Sequence, residues 1–110
     1  MNTTPLASTM PQAVPPGWIQ TDHALTRTVQ RSDFVDALAF TVELGGLAEN
    51  ADHHPDIAIR GYRSVEISLS THSAGNRVTE KDFALAQQIN GLSEDAIRLT
   101  HNDLRRRFSA

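Results

Sequence analysis

The 110-residue chain contains no cysteine, which excludes disulfide bonds, thiolate metal sites and cysteine nucleophiles. Aromatic side chains are few, with one Trp, one Tyr and four Phe, so a core must be built mainly from Leu, Ile, Val and Ala. Basic residues are not in excess, and the formal net charge of −3 argues against nucleic-acid binding by bulk electrostatics. The length fits one domain with a single modest core.

Long apolar runs are also lacking. No stretch approaches the length needed to span a membrane, and residues 1–10 carry neither a basic cluster nor the apolar run of a signal peptide. Taken alone, the sequence therefore predicts a cytoplasmic protein without a membrane contact. Proline is concentrated near the start, where it disfavours helix. We expect a flexible, proline-rich lead-in over residues 1–16, with at most a helical turn over 6–10, and one domain over 17–110.

The rest of the chain alternates between strand and helix patterns. Short strands are predicted over 18–21 and 24–30, joined by a turn at Asp22–His23, and two more over 57–60 and 65–70, of which the last alternates cleanly between apolar and polar residues. A helix of about five turns is predicted from Asp33 to near Ala51, capped by Ser32. This order predicts an α+β fold, a four-stranded antiparallel sheet with helices packed on one face.

Helical periodicity predicts which side chains of these helices are buried. In the first helix the apolar stripe begins at Phe34, and Gly45–Gly46 predict close approach of another backbone. Thr79 to Asp82 resembles a capping box that opens a second helix ending at Asn90–Gly91. Ser93 caps a last helix that is predicted to turn Ile97, Leu104 and Phe108 inward. Its Arg105–Arg107 run suits the helix dipole as a solvated end.

The stretch from Glu49 to Asp56 carries the strongest chemical signal. His53 and His54 are adjacent, and Pro55 biases the preceding residue toward an extended backbone, in which neighbouring side chains point to opposite faces. The two histidines are therefore predicted to have different functions. A third imidazole, His72, follows at the end of the predicted fourth strand. Imidazoles that titrate near neutral pH, with carboxylates close in sequence, indicate proton transfer.

Several alternatives use the same residues. Three imidazoles and a carboxylate could bind zinc, but adjacent histidines diverge and no His-x-His or His-x-x-x-His pair occurs. Three ordinary surface histidines around a helix-to-strand turn are the plain alternative. His23 in a predicted turn and His101 beside an apolar stripe are interpreted as structural. The glycines do not form a phosphate-binding loop, and the serines that flank His72 lack a nucleophile-elbow pattern.

The sequence resembles the pterin-4a-carbinolamine dehydratase family over about residues 16–90. The matching elements are Ala48–Glu49, His53-His54-Pro55-Asp56, Leu69-Ser70-Thr71-His72, Ala74–Gly75 and Thr79-Glu80-x-Asp82, with Pro16-Gly17-Trp18 and Asp33–Phe34 before them. A double histidine–proline followed by a threonine–histidine strand end is a specific combination.

The resemblance implies dehydration of 4a-hydroxytetrahydropterin to quinonoid dihydropterin, as part of tetrahydropterin recycling, with no metal or redox cofactor. It implies that His53 and His72 transfer protons and that His54 positions the pterin. Glu49, Asp52, Pro55 and Asp82 are the implied substrate-binding residues. Of these, Asp82 is equally well explained as a helix-start acid.

The resemblance also implies a homodimer or homotetramer and a pterin substrate. The family includes members that act by binding protein partners. A non-catalytic assembly or coactivator protein is therefore the alternative function. Two departures from the commoner family spacing favour that alternative: one extra residue near Gly61 and another near Asn76. Ile57 replaces an aromatic that follows the histidine–proline in some relatives. The last helix extends past the shared region.

Overall fold

The computed structural model describes residues 13–109, so the predicted helical turn over 6–10 and most of the lead-in lie outside the described residues. The elements follow the predicted order: β1 (Ile19–Gln20), β2 (Leu25–Gln30), α1 (Phe34–Ala51), β3 (Asp56–Arg60), β4 (Ser64–Leu69), a 3₁₀ turn (His72–Ala74), α2 (Glu80–Asn90) and α3 (Glu94–Phe108). The α+β prediction is confirmed.

The four strands form one antiparallel sheet in the order β1-β2-β4-β3. Strand β4 lies in the middle because β2 and β3 pair with it on either side, with Val65 opposite both Val29 and Ile59. The apolar residues predicted from alternation in β4 (Val65, Ile67, Leu69) are buried. They form one core with buried residues of the helices, of β2 and of the chain before β1: Trp18, Leu25, Ala37, Ala39, Phe40, Leu44, Ala48, Phe83, Leu85, Ala86, Ile89 and Ile97.

Helix α1 begins one residue later than predicted, at Phe34. Asp33, not Ser32, is the N-cap, and its side chain accepts a hydrogen bond of 2.7 Å from the Asp36 amide. Ser32 instead donates its amide and hydroxyl to the Asp36 carboxylate at 2.8 and 2.9 Å. The predicted inward position of Phe34 is wrong, since its side chain is half exposed. Phe34 is the first residue of the helix, and burial along it begins at Ala37.

Helices α2 and α3 are both capped by the predicted residues. Thr79 and Asp82 form the capping box of α2, and Ser93 accepts from the Ala96 amide at the start of α3. Ile97 is buried as predicted, whereas Phe108 at the far end of α3 is exposed. Among residues 13–109, no helix is long and apolar enough to cross a membrane.

An ion-pair cluster holds the start of α3 against the β2–α1 connection. The Arg31 guanidinium contacts Asp36 at 3.1 Å and Glu94 at 2.9 Å, and it lies 5.2 Å from the centre of the Phe40 ring. The hydrogen bond from Arg31 lowers the pKa of Glu94. Burial alone would raise the pKa of Asp36, but its hydrogen bonds from Ser32 and Arg31 outweigh burial and the pKa is lowered.

Glu94→Gln is expected to make the protein less stable than the wild type at pH 7, with a difference that shrinks in acid. A carboxyl whose pKa is lowered on folding contributes stability above its unfolded pKa and loses that contribution as pH falls through its folded pKa. Urea unfolding between pH 3 and 7 measures the difference. Asp22→Asn, in the exposed β1–β2 turn, is the control. A difference between Glu94→Gln and wild type that stays constant down to pH 3 would contradict the role given to this pair.

Within the described residues, no other part of the chain packs closely against Gly45 and Gly46 of α1. A Cβ built on Gly45 or Gly46 meets no atom within 4 Å beyond the neighbouring turns of its own helix, so the predicted close approach of another backbone is not found in this part of the chain. Gly45→Ala and Gly46→Ala are each expected to raise the free energy of unfolding by about 1 kcal/mol.

Thermal and urea unfolding of the two alanine variants test this expectation. Gly61→Ala is the matched control, because φ at Gly61 is +55° and a side chain there is strained. It should destabilise the protein. A loss of stability in Gly45→Ala or Gly46→Ala would show instead that the glycine face is covered in solution.

Candidate active site

The double histidine follows the end of α1 directly. Asp52 ends the helix in the left-handed conformation, with φ 50° and ψ 44°, and its amide donates to the carbonyls of Ala48 and Glu49. The His53 amide also donates to the Ala48 carbonyl, at 3.1 Å. The chain then leaves the helix through Pro55 and enters β3 at Asp56. This helix end fixes the two imidazoles at one edge of the sheet.

His53 is paired with a buried carboxylate from α2. Its Nε2 lies 2.6 Å from Asp82 Oδ1; the His53 side chain is 10% exposed and that of Asp82 is 0% exposed. An ionised carboxylate only accepts hydrogen bonds, so Nε2 carries the proton in this pair and Nδ1 is left as the acceptor nitrogen. The pair therefore sets both the orientation and the tautomer of the His53 ring.

Asp82 is held in place by two further donors, one from Thr71 and one from Thr79. Its Oδ2 accepts hydrogen bonds from the Thr71 hydroxyl and from the Thr79 amide, each at 2.8 Å. The Thr79 hydroxyl lies 2.6 Å from that of Thr71. Both carboxylate oxygens are thus occupied by protein donors. The Asp82 side chain therefore completes the capping box of α2 and also holds the His53 ring.

His54 has a different environment from its neighbour. Its Nε2 lies 2.9 Å from Glu49 Oε1, one turn back in α1, and the two side chains are 59% and 80% exposed. An exposed pair of this kind is worth less than about 1 kcal/mol. His54 is therefore accessible to a ligand, whereas His53 is largely enclosed.

His72 lies in a turn and not at the end of a strand. Strand β4 ends at Leu69, and Thr71 makes a single bridge to Arg77 that closes the loop carrying the 3₁₀ turn His72–Ala74. Asn76 and Gly75 in this loop both have positive φ. The His72 side chain is exposed.

These groups surround one depression of about 250 Å³. Of the residues predicted from sequence, His53, His54, His72 and Asp52 line it directly. Glu49 is connected to it through His54 and Asp82 through His53. Sequence reasoning did not identify the other lining residues, which are Thr71, Ser73 and Lys81. Thr71 and Ser73 could have been inferred from their position on either side of His72, and Lys81 from its position in the first turn of the predicted helix.

A second concavity lies elsewhere, on the open face of the sheet. It has a volume of about 320 Å³, and its lining includes threonines of β2, Ser68 and the Arg60–Glu66 ion pair, whose closest atoms are 2.8 Å apart. Its charged side chains largely neutralise each other, and the three clustered imidazoles lie at the other depression. We therefore take the histidine depression as the candidate site. Among residues 13–109, no three His, Asp or Glu side chains form a group that could hold a metal ion.

The fold and site together define a small α+β domain with three imidazoles gathered at the end of its central helix. The model of the pterin 4 alpha carbinolamine dehydratase family matches residues 1–92. The chain belongs to this family, as the sequence motifs predicted. Helix α3 lies beyond the matched residues.

Individual relatives agree with this assignment. A protein of Roseiflexus sp. (strain RS-1), provisionally named pterin-4-alpha-carbinolamine dehydratase, is 49% identical over 73 residues, covering 66% of this chain and 76% of its own length. The provisionally named dehydratase of Thermomicrobium roseum is 47% identical over 74 residues, with 67% and 77% covered.

Two solved structures resemble the chain. The transcriptional coactivator/pterin dehydratase of Brucella melitensis superposes with a TM-score of 0.62 at 36% identity, over 69% of this chain and 81% of that one. A pterin dehydratase-like protein identified as a RuBisCO assembly factor in the alpha-carboxysome superposes with a TM-score of 0.55 at 22% identity, over 70% and 87%. The second likeness concerns the fold alone.

Proposed function

We propose that the protein catalyses dehydration of a 4a-hydroxytetrahydropterin to quinonoid dihydropterin. The observation that carries the proposal is the depression lined by His53, His54 and His72, in which one imidazole is backed by a buried carboxylate. Membership of the dehydratase family supports the choice of substrate.

The reaction requires two proton transfers and no change of oxidation state. The bond between C4a and the hydroxyl oxygen breaks, its electron pair leaves with the oxygen, and an acid supplies the proton that completes a water molecule. The lone pair of N5 forms the new C4a=N5 bond, while a base takes the N5 proton. A neutral and a protonated imidazole can carry out both transfers near pH 7.

The geometry suggests how the residues divide these tasks. His53 suits the base, because Asp82 holds Nε2–H and would stabilise the imidazolium formed when Nδ1 accepts a proton. His72 is exposed and can regain a proton from solvent after each cycle, which suits the acid. His54, paired with Glu49, positions the pterin together with Asp52. Pro55 does not line the depression and contributes by favouring the extended backbone at His54. Asp82 acts through His53, because it has no exposed surface.

A protein-binding role is the second candidate. The observation that favours it is α3, which follows the residues matched by the family model and exposes 64% of Leu99 and 59% of Phe108. Exposed apolar side chains on an added helix suit a partner surface. This role does not require the three imidazoles.

Direct measurement of dehydration tests the proposal. A 4a-hydroxytetrahydropterin generated in solution loses water slowly by itself, and the wild-type protein is expected to accelerate this step in proportion to its concentration. His23→Ala, in the β1–β2 turn and outside the lining of the depression, is the matched control and should retain full activity. A rate equal to the protein-free rate, with a folded protein, would exclude the dehydratase and leave the protein-binding role.

A further inference from the structure

The histidine depression continues into a neighbouring concavity. The neighbour has a volume of about 360 Å³ and is lined by Thr71, Ser73 and Lys81, which it shares with the histidine depression, and by Ala74, Thr79 and Glu80. The histidine depression alone, at about 250 Å³, is smaller than the roughly 300–1,000 Å³ of ordinary ligand clefts. A ligand with its ring at the histidines therefore has room to extend past Ser73 and Lys81.

Lys81 is the cation at the junction of the two concavities. Within residues 13–109, no carboxylate lies within 4 Å of its ammonium group. Two other carboxylates near the site are paired with histidines, Asp82 with His53 and Glu49 with His54. Helix stability does not explain a lysine here, because a cation in the first turn of α2 opposes the helix dipole. Lys81 is also the one lysine in the sequence.

We propose that Lys81 is a specificity-determining residue that selects pterins whose C6 substituent carries an anionic group, a carboxylate or a phosphate. This inference rests on the proposed function, since it places the pterin ring at the three histidines. With the ring there, the substituent lies over Ser73 and Ala74, and its negative charge meets the Lys81 ammonium. Asp52 on one side and Glu80 on the other restrict the anion to the junction.

The test compares kcat/KM for three 4a-hydroxytetrahydropterins that carry 6-methyl, 6-carboxylate or 6-hydroxymethyl-phosphate groups. Lys81→Met is expected to lower kcat/KM about tenfold for the two anionic substrates, mainly through KM, and to leave the methyl substrate within twofold. Lys81→Glu should lower it further, and Lys81→Arg should restore most of it. A loss confined to the phosphate arm, or to the carboxylate arm, identifies which anion is used.

Arg77→Gln is the matched control. It removes one positive charge from the β4–α2 loop, four residues before Lys81, but Arg77 lines neither concavity. An equal loss in Arg77→Gln would show that bulk charge is responsible, and an equal loss for the methyl substrate in Lys81→Met would show that Lys81 acts on the ring or the histidines. Either result overturns the proposal. It is also overturned if Lys81→Met leaves the ratio of kcat/KM between the anionic and the methyl substrates unchanged.

Binding measurements separate this proposal from the proposed function. Fluorescence titration of wild type and Lys81→Met with 7,8-dihydropterins bearing the same three substituents requires no turnover. If the wild-type protein fails to accelerate dehydration but binds the anionic dihydropterins about tenfold more tightly than the variant does, the reaction is wrong and the Lys81 subsite stands. Equal binding by both proteins rejects the subsite whatever the activity.

Discussion

His53→Gln is expected to lower kcat/KM for dehydration by about 10²–10⁴-fold, the range that a positioned general acid or base contributes. Glutamine offers an N–H group near the position of His53 Nε2, so it can still donate to Asp82 Oδ1, which lies 2.6 Å from that nitrogen in the wild type. It cannot accept and release a proton at neutral pH. The variant therefore separates proton transfer from the structural support of the buried carboxylate.

The matched comparison is His53→Ala, which leaves Asp82 Oδ1 buried without its donor. Loss of a donor to a buried group costs about 1–3 kcal/mol, so the alanine variant should be less stable than the glutamine variant and about equally inactive. Circular dichroism and urea unfolding give the stabilities, and pterin turnover gives the rates. A glutamine variant with activity within threefold of wild type would remove His53 from the chemistry.

Asp82→Asn is expected to reduce both activity and stability. The carboxylate accepts from His53 on one oxygen and from Thr71 and Thr79 on the other, and an amide has only one oxygen to offer. If that oxygen remains with the threonine groups, the amide nitrogen faces His53 Nε2 and forces the proton onto Nδ1. The base is then in the wrong tautomer, and we expect a fall in kcat of at least 10².

The stability cost of Asp82→Asn should be about 1–3 kcal/mol, because hydrogen bonds to a buried charged acceptor are replaced by weaker bonds to a neutral amide. Ser93→Ala is the control for this cost. It removes the N-cap of α3, whose Oγ accepts from the Ala96 amide at 3.2 Å, and should cost about 1 kcal/mol without affecting turnover. If Ser93→Ala lost as much activity as Asp82→Asn, reduced stability and not the tautomer of His53 would explain both variants.

The fold could be predicted from sequence largely because its signals are local. The alternation in β4 and the Thr79–Asp82 capping box depend on neighbouring residues, and both were confirmed. Two errors in predicted burial lie at the ends of helices. Phe34 and Phe108 match the apolar period of their helices but are exposed, because periodicity identifies a helix face and not how far along the helix other elements cover it.

The site was only partly predictable, since its main contact is between distant parts of the chain. His53 and Asp82 are 29 residues apart, and nothing in the local pattern of Asp82 distinguishes a cap from a partner of an imidazole. Packing of α2 near the end of α1 gives Asp82 both roles. The turn that carries His72 depends on the bridge between Thr71 and Arg77, which a strand pattern does not reveal.

A double-mutant cycle between His53 and His72 tests the central claim most directly. If the two imidazoles perform the two proton transfers of one dehydration, removing either should remove most of the acceleration, so that His53→Gln, His72→Gln and the double variant have kcat/KM values within about tenfold of one another. If the effects multiply fully, or if the His72 variant retains wild-type activity, the two histidines do not act as one acid–base unit.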